Sequence, residues 1–316
     1  MQTRWIVILA AAGVVALGVV SCSGRNGPPK FEGPPVRVVC TTTIVADVVT
    51  RVGGERVQVQ TLMGPGKDPH TYISGAGDRR KLDEAHLVFL NGLHLEGKMA
   101  DLFEKNATQW RAHAVTDGID RAKLRHADVD GGEHDPHVWF DVQLWANTLS
   151  VVERALSDLD PAGAEEYSRN AAAYRKELQA LDAEVRATLA AVPKEQRVLV
   201  TSHDAFGYFG RAYDFEVIGL QGVSTASEVG TAQRDALAQT LGERKIPAVF
   251  TETSTPADGL KAVLDDVRAK YKHEVKLVAG KNALNSDALG EPDSPSGTYP
   301  GMIRHNVKVI VEALTK

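Results

Sequence analysis

No glycine or proline interrupts residues 165–192, and Pro193 follows at once. The stretch is rich in Ala, Glu, Leu, Lys and Arg, which lose little freedom on entering a helix. At about 1.5 Å per residue it makes a rod of about 40 Å, longer than one small domain requires. Its apolar residues are loosely spaced, which leaves one side exposed. Asp160-Pro161 leads into it, with Asp as the expected N-cap and Pro at the first helical position. Such a rod either joins two bodies as a strut or lies along the surface of one.

The flanking sequence favours the strut. Before the rod, strand-like runs at residues 36–41, 57–62, 87–90 and 112–115 alternate with helical runs at 45–52, 78–84 and 99–105. After it, strands at 197–201, 216–220, 248–251 and 275–278 alternate with helices at 205–213, 232–244, 260–270 and 302–314. Alternation of this kind builds parallel sheets covered by helices. The expected fold is α/β: two similar parallel-sheet α/β domains, residues 36–160 and 194–316, joined by one long rigid helix, residues 161–193. A length of 316 residues suits two domains.

The N-terminus fixes the expected compartment. Residues 5–20 are apolar, with Arg4 ahead of them and the small Ser21 before Cys22. Residues 1–21 read as a secretory signal peptide, too short for a comfortable membrane span. Val19-Val20-Ser21-Cys22 resembles a bacterial lipobox, which implies cleavage before Cys22 and lipid on its sulfur; a plain secretory signal is the alternative. The Gly- and Pro-rich residues 22–35 read as a flexible tether, reaching about 45 Å at most. The location is then the cell envelope, outside the cytoplasm, at the membrane through lipidated Cys22. Cys40 is the other of two cysteines. With Cys22 lipidated no intramolecular disulfide forms, and Cys40 falls in a strand pattern as a packing thiol. A net charge of −5 argues against a nucleic-acid partner.

Chemistry concentrates in four loop residues. Asp68-Pro69-His70 and Asp135-Pro136-His137 are near-copies of one tripeptide; His203 follows the strand at 197–201, and Asp287 lies in the loop after 275–278. Loops at the carboxyl ends of strands are where open α/β sheets bind ligands. Two of the four come from each half, so a shared site lies in the cleft between domains. Three imidazoles and a carboxylate make a closed four-donor site for a transition metal, suited to carrying the ion rather than using it. Singly, each has a plainer role as a turn or capping residue. Pro69 and Pro136 bias the preceding Asp toward extended backbone, and Asp141 is placed to cap a helix starting at Val142. Glu252, ending a strand, is a candidate to hold a ligand imidazole from behind. His86 and His94 read as structural; His113, His126, His273 and His305 lack matching partners. His134, with Asp128, Asp130 and Glu133, reads as part of a solvated acidic loop.

Five stretches together closely resemble one family: residues 62–72, 91–96, 135–141, 200–209 and 286–290. It is that of the TroA-like (cluster A-I) receptors, the zinc/manganese solute-binding lipoproteins of metal ABC importers. The resemblance runs from residue 36 to the C-terminus and implies metal ligands at His70, His137, His203 and Asp287. It implies two α/β domains on one long helix, Zn²⁺ or Mn²⁺ as transported ligand, and a permease with a separate ATPase subunit as partner. The chain departs from the family pattern at residues 73–78, after the first ligand.

The expected function is extracytoplasmic capture of zinc or manganese by a monomeric, non-enzymatic protein. No P-loop occurs, so the ATPase is another chain. The alternatives are a surface adhesin, a label some members carry, and a metallohydrolase. The latter needs an open metal position and a base, with Glu252 the best candidate. Three His and one Asp suit Zn²⁺, whereas Mn²⁺ prefers more oxygen, which a bidentate Asp287 could supply.

Overall fold

The structure is a computed structural model, and it describes residues 27–129 and 132–315; the expected signal peptide, Cys22 and Asp130 lie outside these residues. The first half contains β1 (Val36–Cys40), α1 (Thr43–Gly53), β2 (Val57–Thr61), α2 (Ala76–Glu84), β3 (Leu87–Leu90), α3 (Ala100–Trp110) and β4 (Ala112–Ala114). A short hairpin, β5 (His126–Val129) and β6 (Gly132–His134), is followed by α4 (Val142–Trp145), α5 (Leu149–Leu159) and the long α6 (Ala164–Leu189). The second half contains β7 (Val198–His203), α7 (Gly207–Tyr213), β8 (Glu216–Gln221), α8 (Thr231–Arg244), β9 (Ala248–Phe250), α9 (Asp258–Tyr271), β10 (Lys276–Val278) and α10 (Tyr299–Leu314).

Each half carries one four-stranded sheet. The orders are β2-β1-β3-β4 and β10-β9-β7-β8, and every pairing within them is parallel. Counted from the first strand of each half, both orders are second, first, third, fourth, so the halves share a topology. Both therefore have a switch point where successive connections leave in opposite directions, between β1 and β3 and between β7 and β9. β1 is buried at four of its five positions, whereas the edge strand β2 alternates between half-buried and exposed residues, as a covered centre and a solvated edge require.

The rod is helical over 26 residues, about 39 Å at the usual rise. Its buried side chains are Tyr167, Ala171, Tyr174, Leu178, Leu181, Asp182, Val185 and Leu189, a three-four spacing that makes one stripe. The stripe packs on α1, α4 and α5 of the first half and on α10 of the second. Buried Asp182 accepts from Gln143 Nε2 (2.6 Å) and from the Tyr213 hydroxyl (3.0 Å), which adds a polar link between α4 and α7. A single apolar cluster runs from β1 and α1 through α6 to β7 and α10.

The start of the rod differs from expectation. Asp160 caps nothing with its side chain; its carboxylate takes Arg56 (2.6 and 2.9 Å) and the Tyr167 hydroxyl (2.7 Å). Pro161 opens a 3₁₀ turn over Pro161–Gly163, and α6 begins only at Ala164. The ion pair with Arg56, in the 3₁₀ turn between α1 and β2, takes the carboxylate in place of the local cap. At the N-terminal side, Pro29 gives its carbonyl to Arg111 (3.4 Å) and the Phe31 ring meets His86 edge-on at 5.5 Å. The expected tether thus touches the amino ends of β3 and β4. Cys40 is fully buried, and desolvation pushes its thiol well above the ordinary range, as for an inert packing group.

Candidate metal centre

Both Asp-Pro-His tripeptides use the same local device. The Asp carboxylate accepts the backbone N–H of the His two residues on, at 2.9 Å for Asp68–His70 and 3.0 Å for Asp135–His137. This is the Asx turn, and Pro stiffens it from the middle. The loop that carries His70 leaves β2 through Gly64-Pro65-Gly66-Lys67. Lys67 N–H bonds to the Gly64 carbonyl (3.3 Å) and Gly66 has φ +66°, so Gly at this turn position avoids a strained side chain. His137 opens a 3₁₀ turn, Val138–Phe140, and Asp141 then caps α4 by accepting from Leu144 N (3.0 Å).

The second half supplies the other two residues. β7 runs on through His203, so this imidazole ends the strand rather than following it. Asp287 lies beyond β10, where the chain is held by Glu252–Leu284 pairing and by Asn306 of α10, which both donates to and accepts from Asn285 (2.8 and 3.0 Å). The Trp139 indole N–H reaches the Ser286 carbonyl at 2.9 Å. That bond fastens the His137 turn of one half to the Asp287 loop of the other.

All four sequence candidates converge. His70, His137, His203 and Asp287 are buried, and one donor atom from each lies within 4.8 Å of every other. The Nε2 atoms of His70 and His137 are 3.3 Å apart; Asp287 Oδ1 is 3.4 Å from His137 Nε2 and 3.5 Å from His203 Nε2. A tetrahedron with metal–ligand bonds of about 2.0–2.2 Å has edges of about 3.3–3.6 Å. Three of the six donor separations match those edges and the rest lie within 4.8 Å, so a small divalent ion could draw the set together, and no other such cluster occurs among the described residues.

Behind the donors sit groups that orient them. Asp135 Oδ1 also meets His137 Nδ1 at 2.8 Å, while its Oδ2 takes Arg125 at 2.8 Å and its carbonyl takes the Tyr208 hydroxyl at 2.9 Å. Glu252 faces His203 Nδ1 with one oxygen and takes the His203 backbone N–H with the other (2.9 Å). These contacts turn the Nε2 atoms of both rings inward. Asp287 Oδ2 accepts from Ser254 Oγ at 2.7 Å. Buried Glu96 takes Thr41 Oγ1 (2.7 Å) and Asn91 N (2.8 Å), and Asn91 in turn holds the Pro136 carbonyl (3.1 Å). The first sheet's switch point thus steadies the His137 loop from below.

Charge in the cluster is unevenly shared. Burial pulls the His70 imidazolium down to about 3, against the pull of Asp287. Burial also works against protonation of His137 and His203. There the carboxylates prevail: Asp135 and Asp287 raise His137, and Glu252 and Asp287 raise His203 well above its ordinary value. Burial disfavours the Asp287 anion, yet His203 and His137 hold it well below the usual carboxylate range.

Glu252, two residues past the end of β9, faces the His203 ring. The carboxylate contact of Asp135, with Arg125 behind it, and the contacts of Ser254 were not anticipated. The repeated tripeptide carried a signal for Asp135; nothing in the sequence singles out Ser254. The remaining histidines lie elsewhere. His86 accepts from Arg37 N (3.1 Å), and His94 occupies a turn at φ 63°. His273 and His305 meet the carbonyls of Ile246 and Ala283, His113 lies beside Phe89, and His126 pairs with His134 across the hairpin. Ile73, in the stretch that departs from the family pattern, is 78% exposed.

Known proteins match nearly the whole chain. TroA of Treponema pallidum, a zinc-binding protein, is 44% identical over 308 residues, covering 96% of this chain and 98% of its own. The manganese-binding lipoprotein MntA of Bacillus subtilis is 41% identical over 306 residues, covering 97% and 98%. The solved structure of the T. pallidum periplasmic zinc-binding protein superposes with a TM-score of 0.84 at 43% identity, over 90% of this chain and all of that one. The sequence model of the family described as zinc-uptake complex component A, periplasmic (ZnuA), matches residues 38–313, and the chain belongs to that family.

Proposed function

We propose that this protein is an extracytoplasmic receptor that captures zinc or manganese between its two sheets and delivers the ion to an ABC-type importer. The spacing of the His70, His137, His203 and Asp287 donor atoms carries this reading. Relatives named for zinc and for manganese support the class of cargo. In this reading residues 36–160 and 194–316 act as two domains and residues 161–193 as their connection. Lipid on Cys22 holds the monomer to the membrane, and residues 22–35 tether it. The permease and ATPase are separate chains.

The protein does not act as an enzyme in this reading. Four protein donors fill a tetrahedral ion and leave no position for a substrate or water. Glu252, the base a metallohydrolase would need, spends both oxygens on His203. Four buried donors likewise lend nothing to an adhesive surface. The test is titration of chelator-treated protein with Zn²⁺ and Mn²⁺. One ion should bind per chain, and His137→Ala should weaken binding by about a hundredfold or more while the circular dichroism stays unchanged. Equal affinity in the variant would remove His137 from the site. Elemental analysis of protein from its native host identifies the cargo.

A further inference from the structure

Resting on the receptor reading above, we propose that three uncharged loops beside the metal centre form the surface that docks on the importer's permease, with Ile73 as its apolar anchor. The loops are residues 69–77 after β2, 222–227 after β8 and 253–257 after β9. They meet one another. The Thr225 hydroxyl donates to Asp68 Oδ2 at 2.6 Å, the Thr71 hydroxyl donates to the same oxygen at 2.8 Å, and a Cβ on Gly66 would stand 3.4 Å from the Thr253 carbonyl. The first loop carries His70, and Ser254 of the third donates to Asp287 at 2.7 Å. These loops must part for an ion to leave, so the partner that receives the ion has to meet them.

Charge is missing from this surface. None of the twenty residues in the three loops is Asp, Glu, Lys or Arg, where the chain's 24% would give about five. Lys67, Glu228 and Asp258 stand exposed at the borders. An uncharged centre with a charged rim is the composition of a protein interface. Ile73 is the one large apolar side chain exposed among the described residues, at 78%. A lone apolar side chain in water is ordinary; this one stands within a charge-free surface over the cargo's exit. It is also held outward. The Tyr72 ring beside it packs on the apolar cluster that includes Leu62, Met63 and Leu82. Asp78 Oδ2 then takes the Tyr72 hydroxyl at 2.8 Å and the Gly75 N–H at 3.0 Å, which closes the loop behind Ile73. A side chain braced in this way loses little freedom on docking. The permease surface it fits is an apolar recess in an uncharged surround.

The test titrates detergent-solubilised, metal-loaded full chain against the permease–ATPase complex of its native host in lipid nanodiscs. It reads the receptor concentration that gives half-maximal ATP hydrolysis. Ile73→Glu and, on the second loop, Ala226→Glu should each raise that concentration by about tenfold or more. Metal affinity of both variants, from calorimetry, should stay within about threefold of wild type, because both side chains are exposed. Ile73→Leu should behave as wild type. So should Ala180→Glu, which puts the same charge on the exposed side of α6. The proposal is overturned if Ile73→Glu stimulates hydrolysis at the wild-type concentration, if Ala180→Glu impairs it as much, or if metal affinity falls in step with stimulation. A wild-type dimer that Ile73→Glu dissolves, with stimulation unchanged, overturns it in favour of a second copy of the chain. Wild type that binds metal but never stimulates hydrolysis removes the receptor reading itself, and the docking surface with it.

Discussion

Two imidazoles of the site are backed by carboxylates, and that pairing governs how protons and metal compete. Without an ion, His203 and His137 sit beside Glu252, Asp135 and Asp287, which favour their protonated forms despite burial. His70 is held neutral by burial, down to about 3. An incoming cation must displace the protons from His203 and His137, because only neutral imidazole ligates. Binding near pH 7 should therefore release about one to two protons, and affinity should weaken from above the ordinary imidazole value of about 6.5 rather than only below it. Calorimetric titration in buffers of different ionisation heat counts the protons; a release of zero at pH 7 contradicts the assignment. The metal-free fold follows the corresponding signs. Raised values for His203 and His137 give stability that is full below the unfolded imidazole value and is lost as pH rises through the folded values. His70, with its lowered value, costs stability as pH falls from the unfolded value toward 3.

The clustering of His70, His137, His203 and Asp287 was legible because three stand in loops and one at the end of a recognisable strand, and because one tripeptide occurs twice. What separates the two copies was not legible. Asp135 turns back onto its own histidine ring, whereas Asp68 spends its second oxygen on Thr71 (2.8 Å) and on Thr225 of the other half (2.6 Å). That choice depends on what packs nearby, and tertiary neighbours are absent from a local pattern. Ser254 was invisible for the same reason: a serine in a loop has no signature until its partner is known.

Among the elements, strands were read most accurately, with β3 matching to the residue, since short apolar runs bounded by turn residues are compact signals. One helix was passed over. In α5, Leu149, Val152, Ala155 and Leu156 form a buried stripe at helical spacing; the signal was present, but no glycine or proline marks its start, and Pro161 after its end was read as the start of the rod. The hairpin β5–β6 has few apolar residues, and its segment reads locally as an acidic loop. The rod was the firmest expectation, and its energetics are open to test. Leu178 is 1% exposed in the middle of α6 and packs in the cluster shared by both sheets. Leu178→Ala should destabilise the protein by about 2–5 kcal/mol, the usual cost of deleting a buried leucine. Metal affinity should hold within about threefold, because the site's contacts come from loops that α6 does not carry. Urea unfolding and metal titration of one preparation check both halves of the statement. A loss of affinity larger than the loss of stability would mean that the rod tunes the site and does not merely join the halves.

At the scale of the whole molecule, the two halves are bound to each other at two depths. Two contacts are buried, Trp139 to Ser286 and the Tyr299 hydroxyl to the Trp139 carbonyl (2.7 Å), and a third, Leu289 N to Thr43 Oγ1 (2.8 Å), is partly buried. Together with the shared apolar cluster they oppose a wide hinge motion. Nearer the surface, the Thr225 hydroxyl donates to Asp68 across the halves at 2.6 Å, from a loop after β8 to the loop that carries His70. Asp68 sits two residues from His70, so this bond ties the first donor to the opposite half. Release of cargo then requires the loops to part, not the sheets to swing. A hydrogen bond to a charged acceptor contributes about 1.5–3 kcal/mol when buried and less when partly solvated, as here. Thr225→Ala should raise the rate of metal release by about three- to tenfold while shifting the unfolding midpoint little. Stopped-flow chelator exchange on wild type and variant measures the rate, and a thermal scan of the metal-free proteins measures the midpoint. An unchanged release rate would place the barrier in the deep contacts, and opening would then have to be a motion of whole sheets.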